Sequence, residues 1–191
     1  LARCDPGECP AGTACVAGIC SPMREPTAEA TIDAASQRQS LVGFGAGVAY
    51  TDEDVVSLPD KQALYDAMFS ESGFDIVRLR NRYRGDNPED LAPAAEIIQA
   101  AADRLGRPPL TILTSWSPPP ELKVNAETTC SGNPETCTLV QLPTGEFDYP
   151  GFAEYWRSSL DAYASAGVLP DYIGIQNNPN WVPPESDTNE A

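Results

Sequence analysis

The sequence predicts an α/β protein, because four short apolar runs, at residues 41–46, 75–79, 110–114 and 172–176, alternate with segments whose apolar residues recur every three or four positions. Six cysteines, four of them within the first twenty residues, add a small disulfide-rich module in front of that alternation. At 191 residues the chain holds one ordinary domain plus an appendage, short of the roughly 250 residues of a closed (β/α)8 barrel.

Cys4, Cys9, Cys15 and Cys20 are interleaved with Gly7, Pro10, Gly12 and Gly18, the composition of a stapled, secreted module over residues 1–20. Zinc on four thiolates is the competing reading, but no CxxC pair is present and no histidine can assist. Residues 21–30 hold Pro22, Pro26 and several charges without periodicity, which is linker composition. The alternation then occupies residues 31–191.

A first helix is expected around residues 59–70, with Leu64, Ala67 and Met68 on one side. The second carries Leu91, Ala94, Ala95, Ile98, Ala102 and Leu105, and the third Phe152, Tyr155, Trp156, Leu160 and Tyr163. Gly73, Gly106 and Gly167 stand where these helices should stop. Strands joined through helices run parallel, and parallel sheets bury both faces, so the series points to a barrel or a doubly wound sheet. Four strands are half the usual count. Cys130 and Cys137, in a polar stretch ahead of the third helix, are placed to pin that excursion with a short-loop disulfide.

Composition removes several kinds of function. With no histidine, Ser-His-Asp and Cys-His nucleophiles and imidazole metal sites are excluded, and neither a metal nor a cofactor is expected. A net charge of −16 repels phosphate backbones, so nucleic acid is not an expected partner. No stretch approaches the ~20 uninterrupted apolar residues of a membrane span, so membrane insertion is not expected. No basic start with an apolar core stands at the N-terminus, so any export signal is expected to have been removed or to lie outside these residues. Carboxylates, amides and aromatics must carry the chemistry.

The fourth apolar run continues as Ile173-Gly174-Ile175-Gln176-Asn177-Asn178-Pro179-Asn180-Trp181, a strand ending in amides. Polar groups at the C-terminal ends of barrel strands are where such folds place active sites. Arg78, Arg80, Arg82 and Arg84 alternate, so they share one face wherever the strand persists. Internal ion pairing is the expectation for all but Arg78. Trp116, Trp181 and Tyr83 lie near strand ends, where a flat ring with a polar edge suits a pyranose face.

These motifs resemble glycoside hydrolase family 30, in the retaining clan whose fourth strand ends in Asn-Glu. IQNNPNW is similar to the family's QNEP strand end, LVGFGAG at 41–47 to its first strand, and TSWSPP at 114–119 to its third-strand SPWSPP. All three stand in the family's order. The resemblance implies that residues 31–191 are the N-terminal half of a catalytic (β/α)8 TIM barrel, about its first four strands. It sets Asn177 on the family's asparagine and Asn178 on its acid/base glutamate. It further implies that Trp116 forms part of a sugar subsite, and that Arg78, in DIVRLR, matches the arginine that holds the nucleophile. Glu121 stands where the family has an aromatic. The nucleophile itself belongs to a seventh strand, outside these residues.

What the resemblance implies about function is a secreted retaining hydrolase of β-linked polysaccharide, of xylan or β-glucan type, with carbohydrate as its partner. A glycosidic oxygen leaves as an alcohol only if protonated, and the same group must then deprotonate water. The amide of Asn178 does neither. A second carboxylate, about 5 to 5.5 Å from the first, is also needed for retention. Two further readings therefore stand: a carbohydrate-binding pseudoenzyme, and an inactive fragment whose half barrel exposes apolar stripes and an unpaired strand edge. Glu185, on a Pro-rich segment beyond the strand, is read as solvated rather than as a relocated acid.

Overall fold

The computed structural model describes residues 9–16, 19–22, 31, 33, 35, 36, 38–85, 88–130, 133 and 135–179. The chain divides into two units, Leu1–Ser40 and Leu41–Ala191. In the first, β1 (Thr13–Val16) pairs antiparallel with β2 (Ile19–Pro22), and Cys15 lies directly opposite Cys20. Cys9 is bonded to Cys20, with Cα atoms 5.5 Å apart, and Cys15 is disulfide-bonded as well. A lone two-stranded hairpin is marginal in water, so cross-links supply the constraint that a core cannot. Cys4 and residues 23–30 lie outside the described residues.

The second unit is built on a four-stranded parallel sheet of β3 (Gly45–Gly47), β4 (Ile76–Arg80), β5 (Leu110–Thr114) and β6 (Tyr172–Gly174), hydrogen-bonded in chain order. The parallel α/β architecture read from the sequence is therefore present. The order has no reversal of the kind that defines a doubly wound sheet.

β5 spans the expected residues, whereas β3 and β6 are shorter than expected. Leu41, Val42 and Phe44 belong to the expected first strand but are 64%, 78% and 65% exposed; Phe44 meets the start of β4, its carbonyl accepting from the N–H groups of Asp75 and Ile76 and its own N–H donating to Asp75 Oδ1. Regular pairing starts at Gly45, where a Cβ would lie 2.0 Å from the Ile76 carbonyl oxygen, so only glycine permits the approach. β3 and β6 are the sheet's two edges.

Among the described residues, four α-helices join or follow the strands. α1 (Asp52–Ser57) was not foreseen, since six residues are too short to show a period. Its first turn carries Asp52, Glu53 and Asp54, which complement the helix N-terminus. The expected helix at 59–70 is α2 (Lys61–Tyr65) continuing into a π-helical turn, Asp66–Glu71. α3 (Ala92–Leu105) ends on left-handed Gly106, and α4 (Tyr149–Ser165) begins at Asp148, whose side chain accepts from the Gly151 N–H at 2.8 Å. No helix among the described residues is long and apolar enough to cross a membrane.

Val77 and Leu79 of β4 and Leu113 of β5 share one core cluster with Ala94, Ile97, Ile98 and Ala101 of α3 and Phe152, Tyr155, Trp156 and Tyr163 of α4. Each large side chain so buried contributes about 1.5–3 kcal/mol. The buried face of α3 centres on Ile97 and Ala101, neither of which belongs to the expected stripe, and leaves Ala95 and Leu105 partly buried. Ile76, Arg78 and Arg80 point from β4 to the opposite face of the sheet.

Only Arg78 and Arg80 of the alternating arginines lie in β4; Arg82 and Arg84 follow it. Arg82 donates from Nε and Nη2 to the two carboxylate oxygens of buried Asp52, at 2.8 and 2.6 Å, and lies 3.1 Å from Glu53. Burial opposes its charge, but the hydrogen bonds and charge of Asp52, with Glu53, outweigh that and raise the guanidinium pKa. Arg82 thus shows internal ion pairing of the kind expected for the arginines other than Arg78.

Candidate active site

The constellation forms at the C-terminal ends of β4, β5 and β6. Arg78 reaches along the sheet toward that end, where its Nη2 donates to Asn177 Oδ1 at 2.7 Å and its Nε to Thr114 Oγ1 at 3.3 Å. Its guanidinium carbon stands 4.8 Å from the centroid of the Trp116 ring. Tyr50 meets Trp116 edge-on, with centroids 5.2 Å apart and planes at 81°, and carries the Arg80 guanidinium 5.2 Å from its own centroid. Two cations and two rings thus form a row that ends on the Asn177 amide.

Backbone bonds fix that row. Beyond the regular strands Asn81 N–H donates to the Thr114 carbonyl at 2.7 Å, Ser115 N–H to Gly174 at 3.2 Å, and Asn177 N–H to Ser115 at 2.7 Å. Ser115 therefore spans Gly174 to Asn177, one residue more than a regular parallel ladder takes, and the extra residue bends the chain after β6. At Gly174 a Cβ would come 2.8 Å from Thr114 Oγ1, the hydroxyl that accepts from Arg78. Asn178 follows at φ 47°, a left-handed conformation that asparagine tolerates better than most residues, and it is exposed.

Of the sequence-predicted site residues, Arg78, Trp116 and Asn177 are brought together, and Asn178 is adjacent to them. Trp181 lies outside the described residues. Trp116 is only 6% exposed, between Arg78 and Tyr50, whereas Tyr50 is 49% exposed. The ring presented to solvent is consequently Tyr50, with Trp116 beneath it. Tyr83 packs at the core margin, 5.8 Å from Tyr155, rather than standing free. Sequence reasoning missed Tyr50 and Thr114; Tyr50 was discoverable as the aromatic just past the glycine-rich first strand.

Two grooves adjoin the loops that carry these residues. One, of about 400 Å³, is lined by Tyr83, Arg84, Pro120, Glu121 and Glu154. The other, of about 560 Å³, is lined by Phe147, Tyr149, Ile175, Gln176 and Pro179, on either side of the Asn177–Asn178 pair in sequence. Between β5 and α4 the chain is strapped by the Cys130–Cys137 disulfide, with Cα atoms 4.9 Å apart, and by bridges joining Lys123 to Leu139 and Gln141 to Phe147.

A parallel β/α sheet with polar groups at the C-terminal ends of its strands is the arrangement in which α/β barrels place their active sites. No family model matches the chain. It is 30% identical over 197 residues to an endo-1,6-β-D-glucanase of Neurospora crassa, covering 86% of this chain and 39% of that protein. To an endo-1,6-β-D-glucanase of Aspergillus fumigatus it is 28% identical over 198 residues, covering 86% and 40%. Among solved structures, the fold is similar to that of a glycoside hydrolase family 30 subfamily 8 xylanase from Clostridium acetobutylicum, with TM-score 0.61, 24% identity and coverage of 78% of this chain and 35% of that one. It is also similar to a family 30 xylanase C from Talaromyces cellulolyticus, with TM-score 0.54, 20% identity and coverage of 76% and 38%. The resemblance read from the strand-end motifs is thus shown: the chain is similar to a segment of the family 30-like glycoside hydrolases. It spans about two fifths of the length of the curated relatives it matches.

Proposed function

We propose that residues 31–191 are the N-terminal half of a retaining (β/α)8 glycoside hydrolase barrel, about its first four strands, and that the Arg78–Trp116–Asn177 site binds a β-linked polysaccharide of xylan or β-glucan type. The carrying observation is the bond from Arg78 to Asn177, with Trp116 and Tyr50 beside it. It supports the reading because a fixed amide and guanidinium next to a flat ring can hold sugar hydroxyls and a pyranose face together. Relatives named endo-1,6-β-D-glucanases make β-1,6-glucan the first polymer to test. In this reading residues 1–20 are a disulfide module and 21–30 a linker, and the disulfides favour an oxidising, extracytoplasmic compartment.

Within the site, Tyr50 is the stacking surface and Trp116 its support, while Arg78, itself bonded to Thr114, holds the Asn177 amide in one orientation. Asn178 occupies the position of the acid/base. Its amide has no proton to give a leaving alkoxide at neutral pH and cannot take one from water, so the chain holds glycan without cutting it. That same residue favours the second reading, a carbohydrate-binding pseudoenzyme. Incubation with insoluble β-1,6-glucan and xylan tests both halves of the proposal. Depletion of the folded chain from solution, with no new reducing ends, is expected. Failure to bind either polymer, or release of reducing ends, would contradict it.

A further inference from the structure

Lys123 is 3% exposed, an uncommon fate for a lysine, and its ammonium sits at a junction. It donates to Ser117 Oγ at 3.1 Å and to the Thr128 carbonyl at 3.2 Å, and it lies 3.4 Å from Cys137 Sγ, one half of the bridge to buried Cys130. Ser117 passes the connection on. Its own hydroxyl donates to the Pro118 carbonyl at 2.9 Å, and its carbonyl accepts from Ser115 Oγ at 2.7 Å. The Ser115 carbonyl in turn holds the Asn177 N–H. One continuous polar chain therefore runs from the disulfide, through Lys123, to the segment that carries Trp116 and fixes Asn177.

We infer that Lys123 is a positioning residue for the strand-end site, coupling the Cys130–Cys137 anchor to the 115–117 segment so that Trp116 is held beneath Tyr50 and Arg78. A buried ammonium is costly unless polar groups surround it, so the donors of Lys123 fix its acceptors in turn. The ring next to Ser117 inherits that restraint. The inference concerns the site read above as glycan-binding, but it rests on the Lys123 contacts alone.

The test reads Trp116 directly, in the full chain carrying Trp156→Phe and Trp181→Phe so that one tryptophan remains. Lys123→Met should shift Trp116 emission to longer wavelength and raise its quenching by acrylamide, while far-ultraviolet circular dichroism stays unchanged. Ser117→Ala, which deletes only the relay hydroxyl, should move both readouts in the same direction and decides the matter alone if Lys123→Met fails to fold. Folded variants whose Trp116 emission and quenching match the parent would overturn the inference. Because no ligand enters the measurement, an absence of glycan binding would sink the functional reading and leave this one standing.

Discussion

Arg78 and Asn177, 99 positions apart in sequence, are joined by a 2.7 Å hydrogen bond from guanidinium Nη2 to amide Oδ1. The bond crosses β5 and ties β4 to the segment after β6. A charged donor makes such a bond shorter and stronger than a neutral one.

Removing either partner should therefore cost more than a surface substitution. Arg78→Met and Asn177→Ala are each expected to lower stability by about 1.5–3 kcal/mol, and the double variant by less than their sum. Urea unfolding of the four-member cycle measures the coupling. Strict additivity would show that the two side chains do not interact.

Gly174→Ala places a methyl 2.8 Å from Thr114 Oγ1 and 3.1 Å from its Cγ2. Either β6 or Thr114 must move, at about 1–3 kcal/mol. Thr114→Ser, which keeps the hydroxyl and removes the methyl, should recover part of that loss when combined with it. Thermal melts of the single and double variants would read the recovery.

Asp52 is 2% exposed and bonded twice to Arg82. Asp52→Ala leaves a half-buried guanidinium without its main counter-charge and is expected to cost about 3–5 kcal/mol. Asp52→Ala with Arg82→Met removes both charges and should be the more stable of the two. Denaturant midpoints that rank them the other way would refute the pairing argument.

The Tyr163 hydroxyl donates to the Arg80 carbonyl at 2.9 Å and accepts from the Arg82 N–H at 3.0 Å, inside the core. Burial pushes its pKa up to about 12 from an ordinary 10, against the lowering effect of the Arg82 N–H. Its folded-state pKa is raised, so its contribution is complete below pH 10 and is lost as pH rises toward 12. The loss amounts to ~2–3 kcal/mol. Unfolding followed from neutral to strongly alkaline pH should show this fall in the parent and a shallower one in Tyr163→Phe, which has no proton to lose.

The sequence made the β4, β5 and α4 regions legible because buried strands and long amphipathic helices write their period plainly: Leu110–Thr114 matches at both ends, and Phe152, Tyr155, Trp156 and Tyr163 are buried as expected. The first strand misled because Leu41, Val42 and Phe44 are apolar yet sit at an exposed sheet edge, where composition and pairing part company. Within the site, motif matching named Arg78, Trp116 and Asn177 but not what they touch. The Arg78–Asn177 bond depends on the register of three strands, and buried Lys123 meets partners at Ser117, Thr128 and Cys137, up to fourteen positions away. Neither relation has a local sequence signal.

The most direct test of the glycan-site reading is calorimetric titration of the chain with soluble β-1,6-gluco-oligosaccharides, alongside Tyr50→Ala and Trp116→Ala. The account predicts saturable heat for the parent and its loss in both variants while each remains folded. Equal heats for all three chains, or none for a folded parent with any β-glucan or xylan oligomer, would contradict it.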